Sequence, residues 1–282
     1  MTETLAYIKE SLKEVYPVSE VKALIRLLME EVCGILPHQY LSCPETEIPE
    51  AQKAKIHAIV RRLKRMEPIQ YIMGTADFCG LSFEVNPSVL IPRPETEELV
   101  EQVLHDNAGK KVRILDIGTG SGCIAITLQK NLKQATVIAA DVSSDALETA
   151  RRNAMRNQAT VTFIQTDILN PEKAEANLPF TVDILVSNPP YIKEEEKKEM
   201  EKNVLDYEPH LALFVPDDDP LLFYRHIARF GQKRLSENGR IYFEINAACA
   251  GITRQMLTKE GYRDIEVIRD LSGKERIVKA SK

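Results

Sequence analysis

The sequence of 282 residues predicts an α/β fold, in which helices cover both faces of a parallel β-sheet, preceded by a small helical unit. Beyond about residue 90, short β-branched runs alternate with helical runs of roughly 10 to 15 residues, as in parallel sheets. Before about residue 66, apolar residues recur at helical spacing instead. A hydrophobic content of 44% suffices to fill both cores.

Residues 1–74 are expected to form a helical bundle. Apolar residues recur three or four positions apart in stretches around Ile8, Leu24 and Ile59. Proline or glycine interrupts the pattern wherever a helix is expected to stop, at Pro17, Gly34, Pro37, Pro44, Pro49 and Pro68. These residues are therefore predicted to be a domain of their own.

Residues 75–90 are expected to connect the two domains, because apolar residues alternate around Gly80 as in a short β-hairpin. In residues 91–282, strands are predicted at 112–116, 136–140, 161–165, 182–187 and 240–245. Helices are predicted between them at 124–132, 144–156 and 221–235, and a last helix and strand reach residue 278. The charge run at 193–202 is predicted to be a solvated helix or lid.

Composition excludes several classes of protein. Lysine and arginine number 37 and aspartate and glutamate 42, a net charge of −5 that argues against a large nucleic-acid surface. No apolar run approaches the roughly 20 residues that span a bilayer, and the first residues resemble no export signal. The five cysteines are scattered and lack the spacing of metal ligands, so neither disulfides nor a zinc site is expected. A cytoplasmic location is therefore expected.

One basic stripe is an exception to the acidic composition. It contains six cations and no acid, namely Lys53, Lys55, Arg61, Arg62, Lys64 and Arg65. The stripe is either the solvated face of a helix or a docking surface for an acidic partner.

A glycine-rich loop follows the first predicted strand of the α/β domain, with the sequence Asp116-Ile117-Gly118-Thr119-Gly120-Ser121-Gly122. Glycines let the backbone turn sharply and approach a ligand, and ligands of open α/β sheets lie beyond the carboxyl ends of the strands. The spacings G-x-G-x-x-G and G-x-x-x-x-G-K-[ST] are both absent, so a phosphate cradle is not favoured. A tight strand-to-helix turn is the alternative.

Carboxylates end the first three strands of this domain, at Asp116, Asp141 and Asp167, and Ile168 follows the third. Asp141 can accept hydrogen bonds from both hydroxyls of a ribose, and Asp116 can meet the ammonium group of an amino acid. Asp167 and Ile168 can hold an adenine ring, although Asp167 can equally cap a helix. A ligand with a ribose and an ammonium group but no phosphate fits S-adenosylmethionine.

The most specific motif is Asn188-Pro189-Pro190-Tyr191, directly after the strand predicted at 182–187. The two prolines have a fixed φ and no N–H, which makes the turn stiff. The Asn188 side-chain oxygen and the Pro189 carbonyl can accept both hydrogens of a planar NH2 group and aim its nitrogen at a methyl donor. Tyr191 can pack on the amide or near a sulfonium cation. A rigid turn at a strand end is the alternative.

Over nearly its whole length the sequence resembles a known family, the glutamine N5-methyltransferases of peptide chain release factors. The similarity lies in the glycine loop, the Asn-Pro-Pro-Tyr motif and the stretches 67–74, 78–83, 89–97, 208–213, 243–245 and 273–276. The resemblance implies a class I S-adenosylmethionine-dependent methyltransferase domain at 91–282, with a Rossmann-like seven-stranded sheet. It also implies that residues 1–74 recognise the partner.

The resemblance implies methylation of the glutamine side chain in the Gly-Gly-Gln motif of class 1 release factors, in support of translation termination. The methyl donor S-adenosyl-L-methionine becomes S-adenosyl-L-homocysteine. With the acids above, the expected cofactor-binding residues are Gly118, Thr119, Gly120, Ser121, Gly122, Asp141, Asp167, Ile168 and Asn188. The expected glutamine-binding residues are Asn188, Pro189, Pro190 and Tyr191, of which Asn188, Pro189 and Tyr191 are expected to be catalytic. A monomer is expected, with no metal and no direct nucleic-acid contact.

The sequence departs from the family pattern at two places. Several relatives have an aromatic residue where Ile168 stands, so aliphatic packing is expected against adenine here. Relatives usually have a glycine and then a glutamine shortly after the position of Ile245, whereas residues 246–250 read Asn-Ala-Ala-Cys-Ala.

Two other functions stay open. One is a DNA adenine-N6 methyltransferase, because the Asn-Pro-Pro-Tyr motif also serves amino groups on flipped bases. The net charge of −5 argues against it. The other is a non-catalytic protein-binding module that keeps the pocket.

Overall fold

The computed structural model describes residues 1–43 and 45–282; Pro44, predicted to break a helix, lies outside the described residues. The described chain forms two compact units. The smaller consists of Met1–Met73 and Lys202–Tyr207, and the larger of Gly74–Glu201 and Glu208–Lys282. Among the described residues, no helix has the length and apolar character that crossing a bilayer requires.

The helices are α1 (Thr2–Leu12), α2 (Val18–Cys33), α3 (Gln39–Ser42), α4 (Glu50–Leu63), α5 (Ile69–Met73), α6 (Pro94–Asn107), α7 (Cys123–Asn131), α8 (Ser144–Arg156), α9 (Pro171–Asn177), α10 (Lys202–Leu205), α11 (Leu222–Arg234) and α12 (Ala250–Lys259). The strands are β1 (Thr75–Phe78), β2 (Leu81–Glu84), β3 (Arg113–Ile117), β4 (Thr136–Asp141), β5 (Val161–Gln165), β6 (Val182–Ser187), β7 (Ile192–Lys193), β8 (Phe214–Val215), β9 (Leu235–Glu244), β10 (Arg263–Arg269) and β11 (Glu275–Ser281). The charge run at 193–202 is largely a 3-10 turn, at Glu194–Glu199.

The smaller unit contains α1 to α5 and α10, and its core is made of the apolar residues that recur at helical spacing. Its fully buried side chains include Ile8, Leu12, Leu28, Met29, Ile56 and Leu63. Two of the predicted breaks lie at helix boundaries. Gly34 follows the end of α2 with a left-handed φ of 67°, and Pro49 directly precedes α4. The Tyr207 hydroxyl donates to the Arg65 carbonyl at 2.9 Å, which joins the segment after α10 to this unit.

Part of the basic stripe is paired within the smaller unit. The Arg62 guanidinium donates from Nε to Glu67 Oε2 at 2.7 Å and from Nη2 to Glu67 Oε1 at 2.5 Å. Lys53 Nζ donates to Glu50 at 2.7 Å. Lys55, Arg61, Lys64 and Arg65 are exposed to solvent, and so a partner can reach all four of these cations.

The hairpin predicted around Gly80 is present as β1 and β2, and it belongs to the larger unit. Its turn places Cys79 and Gly80 at φ of 48° and 72°, which a tight hairpin turn requires. Phe78 and Phe83 are buried, with ring centroids 6.1 Å apart and nearly perpendicular planes. Because these rings fill the core of the larger unit, residues 75–90 form part of it, whereas the sequence pattern predicted a connector.

The larger unit is built on a seven-stranded sheet in the order β10-β11-β9-β6-β3-β4-β5. Strands β9, β6, β3, β4 and β5 pair in parallel, and β11 pairs antiparallel with both β9 and β10. The sequence predicted one last strand, but the structure has the hairpin β10 and β11, because residues 270–274 reverse the chain. Strand β9 also begins at Leu235, before its predicted start at 240.

Helices cover both faces of this sheet, as predicted, and each face has its own core. Along β3 the side chains alternate, so that Ile114 enters the core shared with α6 and α7, whereas Leu115 enters the core shared with α11 and α12. The chain turns to β4 on one side of β3 and places β6 on the other. Ligands of open α/β sheets bind beyond the carboxyl ends at such a switch point.

Candidate active site

A cavity of about 280 Å³ lies beyond the carboxyl ends of β3, β4, β5 and β6. The predicted site residues that line it are Gly118, Gly120, Asp141, Asp167, Ile168, Asn188, Pro189 and Pro190. Residues that sequence reasoning did not single out complete its apolar wall, including Val89, Leu178, Phe223 and Ile227. Mostly apolar walls with a few convergent polar groups are typical of small-molecule sites.

The glycine loop turns sharply from β3 into α7. Gly118, Gly120 and Gly122 have φ of 74°, 54° and 82°, in the left-handed region that favours glycine. The N–H groups of Gly118 and Thr119 donate to the Ala140 carbonyl at 2.8 and 3.1 Å, which binds the loop to the end of β4. A Cβ on Gly122 would lie 2.9 Å from Ile126 Cδ1 and 3.1 Å from Ala150 Cβ. Gly122 therefore lets α7 and α8 pack closely, while Gly118 and Gly120 face the cavity.

Asp141 organises the end of β4. Its Oδ2 accepts a hydrogen bond from the Gly120 N–H at 2.9 Å, and its Oδ1 accepts one from the Ser143 N–H at 3.0 Å. Burial raises the pKa of Asp141, and the backbone N–H groups partly offset that rise. Each carboxylate oxygen has a second lone-pair site, so the cavity wall retains acceptor capacity suited to two hydroxyls.

Asp116 and Thr119 form a buried pair behind the loop. The Thr119 hydroxyl donates to Asp116 Oδ2 at 2.6 Å, whereas Asp116 Oδ1 has no hydrogen-bond partner within residues 1–43 and 45–282. The pKa of Asp116 is raised to about 7, mainly by burial. The hydrogen bond from Thr119 opposes this rise, and the negative charge of Asp141 adds to it. A buried acceptor without a partner favours a nearby donor or cation, as on the amino-acid end of S-adenosylmethionine.

Asp167 and Ile168 lie together on the cavity wall after β5. Asp167 Oδ1 accepts from the Leu169 N–H at 2.9 Å, in a tight turn. The cap of α9 is instead Asn170, whose Oδ1 accepts from the Lys173 N–H at 3.1 Å, so Asp167 does not serve as the helix cap. Ile168 is 8% exposed and offers an aliphatic surface to a ring.

The Asn-Pro-Pro-Tyr motif is held at the end of β6. The Ser187 hydroxyl donates to the Ile117 carbonyl at 2.6 Å, which ties β6 to β3 immediately before the motif. Asn188 Nδ2 donates to Thr96 Oγ1 at 3.1 Å. The half-buried Tyr191 packs against the core beside α11, and its hydroxyl donates to Glu244 Oε1 at 3.3 Å. Burial raises the pKa of the Tyr191 hydroxyl, and the charge of Glu244 raises it further.

Thr96 and Glu244 are site residues that sequence reasoning missed. The Thr96 hydroxyl donates to Glu244 Oε2 at 2.6 Å, and both residues are buried. Burial raises the pKa of Glu244, while Thr96, Arg276 and Tyr191 lower it. The available signal was an acid at the end of a buried apolar strand, the pattern that singled out Asp116 and Asp141.

Another buried carboxylate, that of Glu208, joins two segments of the cavity wall. Arg93 Nη2 donates to Glu208 Oε1 at 2.6 Å, and the Ile91 N–H donates to Oε2 at 3.2 Å. Glu208 is 4% exposed. This pairing holds the residues before α6 beside the segment that contributes Pro209 and Ala212 to the cavity.

Four predicted site residues do not line the cavity, namely Thr119, Ser121, Gly122 and Tyr191. Thr119 and Ser121 are buried behind the glycine loop. The Ser121 carbonyl accepts from Asn153 Nδ2 at 2.9 Å. Over residues 1–43 and 45–282, no group of three or more His, Cys, Asp or Glu side chains could hold a metal ion.

Five parallel strands, a reversed β11 between β9 and β10, and a cavity at the switch point define a class I S-adenosylmethionine-dependent methyltransferase. A family model described as "Methyltransferase small domain" matches residues 95–207. The crystal structure of a methyltransferase from Pyrococcus furiosus has a similar fold, with a TM-score of 0.54 and 20% identity, over 80% of this chain and 97% of that one.

The full-length relatives narrow this class to a family. The release factor glutamine methyltransferase of Bacteroides thetaiotaomicron is 47% identical over 100% of both chains. That of Flavobacterium psychrophilum is 44% identical over 96% of this chain and 95% of its own. A family model described as "PrmC N-terminal domain" matches residues 3–74. The chain belongs to the release factor glutamine methyltransferases.

Proposed function

We propose that this enzyme transfers a methyl group from S-adenosyl-L-methionine to the side-chain amide nitrogen, N5, of the glutamine in the Gly-Gly-Gln motif of class 1 release factors. The observation that supports the proposal is the position of Asn188 and Pro189, which follow the carboxyl end of β6 and line the cavity. The Asn188 side-chain oxygen and the Pro189 carbonyl are two hydrogen-bond acceptors on a stiff turn, and a planar amide has two hydrogens to donate to them. Family membership favours a release-factor glutamine over adenine in DNA.

The cavity residues hold the methyl donor. S-adenosylmethionine supplies a methyl group on a positively charged sulfur, which leaves as a neutral thioether. Asp141 accepts hydrogen bonds from the ribose hydroxyls, and Gly118 and Gly120 allow close approach of the backbone. Asp167 and Ile168 contact the adenine, and Asp116 attracts the ammonium group from behind the loop.

Asn188 and Pro189 position the glutamine. An amide nitrogen delocalises its lone pair and is a poor nucleophile, so rate depends on aiming it at the methyl carbon. The Asn188 side-chain oxygen and the Pro189 carbonyl each accept one amide hydrogen, and Tyr191 supports the plane of the amide. As the nitrogen–carbon bond forms, the carbon–sulfur bond breaks, and the nitrogen then releases a proton to solvent. A strong general base is not required.

The smaller unit is the proposed site of partner recognition, with Arg61, Lys64 and Arg65 as contacts for acidic groups of the release factor. We further propose that the enzyme acts as a monomer in the cytoplasm, without direct contact to nucleic acid. The net charge of −5 supports the last point.

The test is mass spectrometry of a class 1 release factor after incubation with the enzyme and S-adenosylmethionine, with duplex DNA treated in parallel. We expect a gain of about 14 Da, one methyl group, mapped to the glutamine of Gly-Gly-Gln. Methylated adenine together with an unmodified release factor would refute the proposal and favour the DNA enzyme.

A further inference from the structure

A continuous chain of hydrogen bonds connects the buried Glu244 carboxyl to the Asn188 amide. Thr96 Oγ1 donates to Glu244 Oε2 at 2.6 Å, and Asn188 Nδ2 donates to Thr96 Oγ1 at 3.1 Å. Thr96 is 3% exposed and Glu244 1%. Because water is excluded from both residues, it cannot substitute for a lost partner.

The order of donors and acceptors along this chain allows one orientation of the Asn188 amide. A threonine hydroxyl has a single proton, and an ionised carboxylate can only accept. The Thr96 proton is therefore committed to Glu244, and Thr96 Oγ1 can only accept from Asn188. If the Asn188 amide rotated by 180°, its oxygen would face the oxygen of Thr96 with no proton between them.

We propose that Glu244 and Thr96 are positioning residues, which turn the Asn188 amide so that its Oδ1 is the acceptor presented to the glutamine side chain. This inference rests on the proposed function, because that acceptor matters only if the substrate presents an N–H group. With the amide reversed, Asn188 would present Nδ2, and two donors would meet.

Glu244 also holds the other end of the motif. Its Oε1 accepts from the Tyr191 hydroxyl at 3.3 Å, so the two carboxyl oxygens serve Asn188 and Tyr191 separately. Burial raises the pKa of Glu244, whereas the Thr96 hydroxyl and the positive charge of Arg276 favour its ionised form. Arg276 is itself held by Asp270 at 3.3 Å. One buried carboxyl thus sets the geometry on both sides of the two prolines.

The variants that test the proposal are Thr96→Val, which removes the hydroxyl at nearly constant volume, and Thr96→Ser, which keeps it. Thr253→Val makes the same chemical change at a buried position on α12 and serves as the control. We expect Thr96→Val to lower kcat by about 10- to 100-fold, with KM and the cofactor Kd changed less than about threefold. Thr96→Ser should stay within about threefold of wild type in kcat, as should Thr253→Val.

The pH profile gives a readout that a purely structural role would not change. The groups facing Glu244 are Glu95 and Thr96 from α6, Tyr191 after β6, Tyr224 from α11 and Arg276 from β11. Protonated Glu244 can donate to Thr96 and reverse the chain, so wild-type kcat should fall as pH drops through the pKa of Glu244. That acid limb should be retained in Thr96→Ser and lost in Thr96→Val.

The orientation can also be measured without substrate, from the Asn188 side-chain NH2 signal in a 15N-labelled protein, assigned by its loss in Asn188→Asp. We expect this signal to shift in Thr96→Val and to stay in place in Thr253→Val. Wild-type kcat in Thr96→Val, or an unshifted NH2 signal, would overturn the proposal. If the signal shifts in Thr96→Val but the wild-type enzyme leaves release factors unmodified, the proposed function is rejected and the orientation stands.

Discussion

At the scale of single residues, binding of the substrate glutamine depends on Asn188. Asn188→Ala removes the side-chain acceptor at the cavity wall and leaves Asp141 and the glycine loop intact. We expect kcat for release-factor methylation to fall by at least about 10²- to 10³-fold, because a fixed hydrogen-bonding partner of the reacting group is lost. The cofactor Kd from calorimetry should change less than about threefold. Substantial activity in this variant would contradict the role of Asn188.

Asp116 gives a prediction about stability and pH. Its pKa is about 7 in the folded protein and 3.8 ordinarily, mainly because of burial. Between these values the folded state binds more protons than the unfolded state, so the free energy of unfolding falls as pH rises from about 4 to 7. Asp116→Asn removes the contribution of Asp116, whereas those of Asp141 and Glu244, whose pKa values burial also raises, are present in both proteins. The variant should gain stability over wild type with rising pH, by up to about 4 kcal/mol in urea unfolding.

Asp106→Asn is the matched control for that measurement. Burial tends to raise the pKa of Asp106, but hydrogen bonds from Lys279, Gln102 and Tyr242 lower it to about 2. A depressed pKa contributes stability above the ordinary value of 3.8, which is lost as pH falls toward 2. The difference in the free energy of unfolding between wild type and Asp106→Asn should therefore stay constant between about pH 4 and 7. A constant difference at Asp116 as well would contradict its raised pKa.

At the scale of elements, the loop between β3 and α7 depends on Gly122 for both backbone conformation and packing. Gly122→Ala adds left-handed strain at φ 82° and places the new Cβ only 2.9 Å from Ile126 Cδ1, which is too close for two carbon atoms. We expect a loss of about 2 to 3 kcal/mol in the free energy of unfolding, and weaker cofactor binding because the loop shifts. Gly109→Ala has a similar φ of 73° and open space, so it should cost only about 1 kcal/mol. Equal costs would show that packing at Gly122 is unimportant.

Helices and strands with a clear local hydrophobic pattern were predictable from the sequence, whereas strands defined mainly by pairing with distant strands were not. The β-branched runs of β3, β4 and β6 stand out because strands buried on both faces need continuous apolar residues. The edge strand β5 has no fully buried residue and stands out by its β-branched residues alone. The start of β9 did not, because residues 236–239 are polar or glycine. The strand reaches back to Leu235 only through the pairing of Leu235 with Val182, across an irregular stretch. The hairpin β10 and β11 was merged into one strand because β10, Arg263–Arg269, is charged at four of its seven positions and has no fully buried residue.

At the scale of the whole molecule, the exposed cations of the smaller unit test partner recognition. Arg61, Lys64 and Arg65 changed together to Glu should weaken release-factor binding by about tenfold at low salt, and less at high salt, because exposed charges are screened. Arg62 is left unchanged, since its pairing with Glu67 stabilises the unit. The measurement is the Kd from fluorescence anisotropy with a labelled release factor.

The control variant reverses Lys9, Lys22 and Arg26 in the same unit, which produces an equal change of charge at other exposed positions. Its Kd should stay close to the wild-type value. Equal weakening in both variants would mean that net charge matters and the stripe does not. No weakening in either would leave the stripe as a solvated helix face.

The sequence alone determined the fold class, the glycine loop and the Asn-Pro-Pro-Tyr motif, because each is written in neighbouring residues whose spacing reflects backbone geometry. Only the tertiary structure revealed how that motif is held. Thr96 lies 92 positions from Asn188 and 148 from Glu244. The hydrogen-bond direction at Asn188 and the raised pKa of Asp116 likewise depend on burial, which is created when distant segments pack and exclude water.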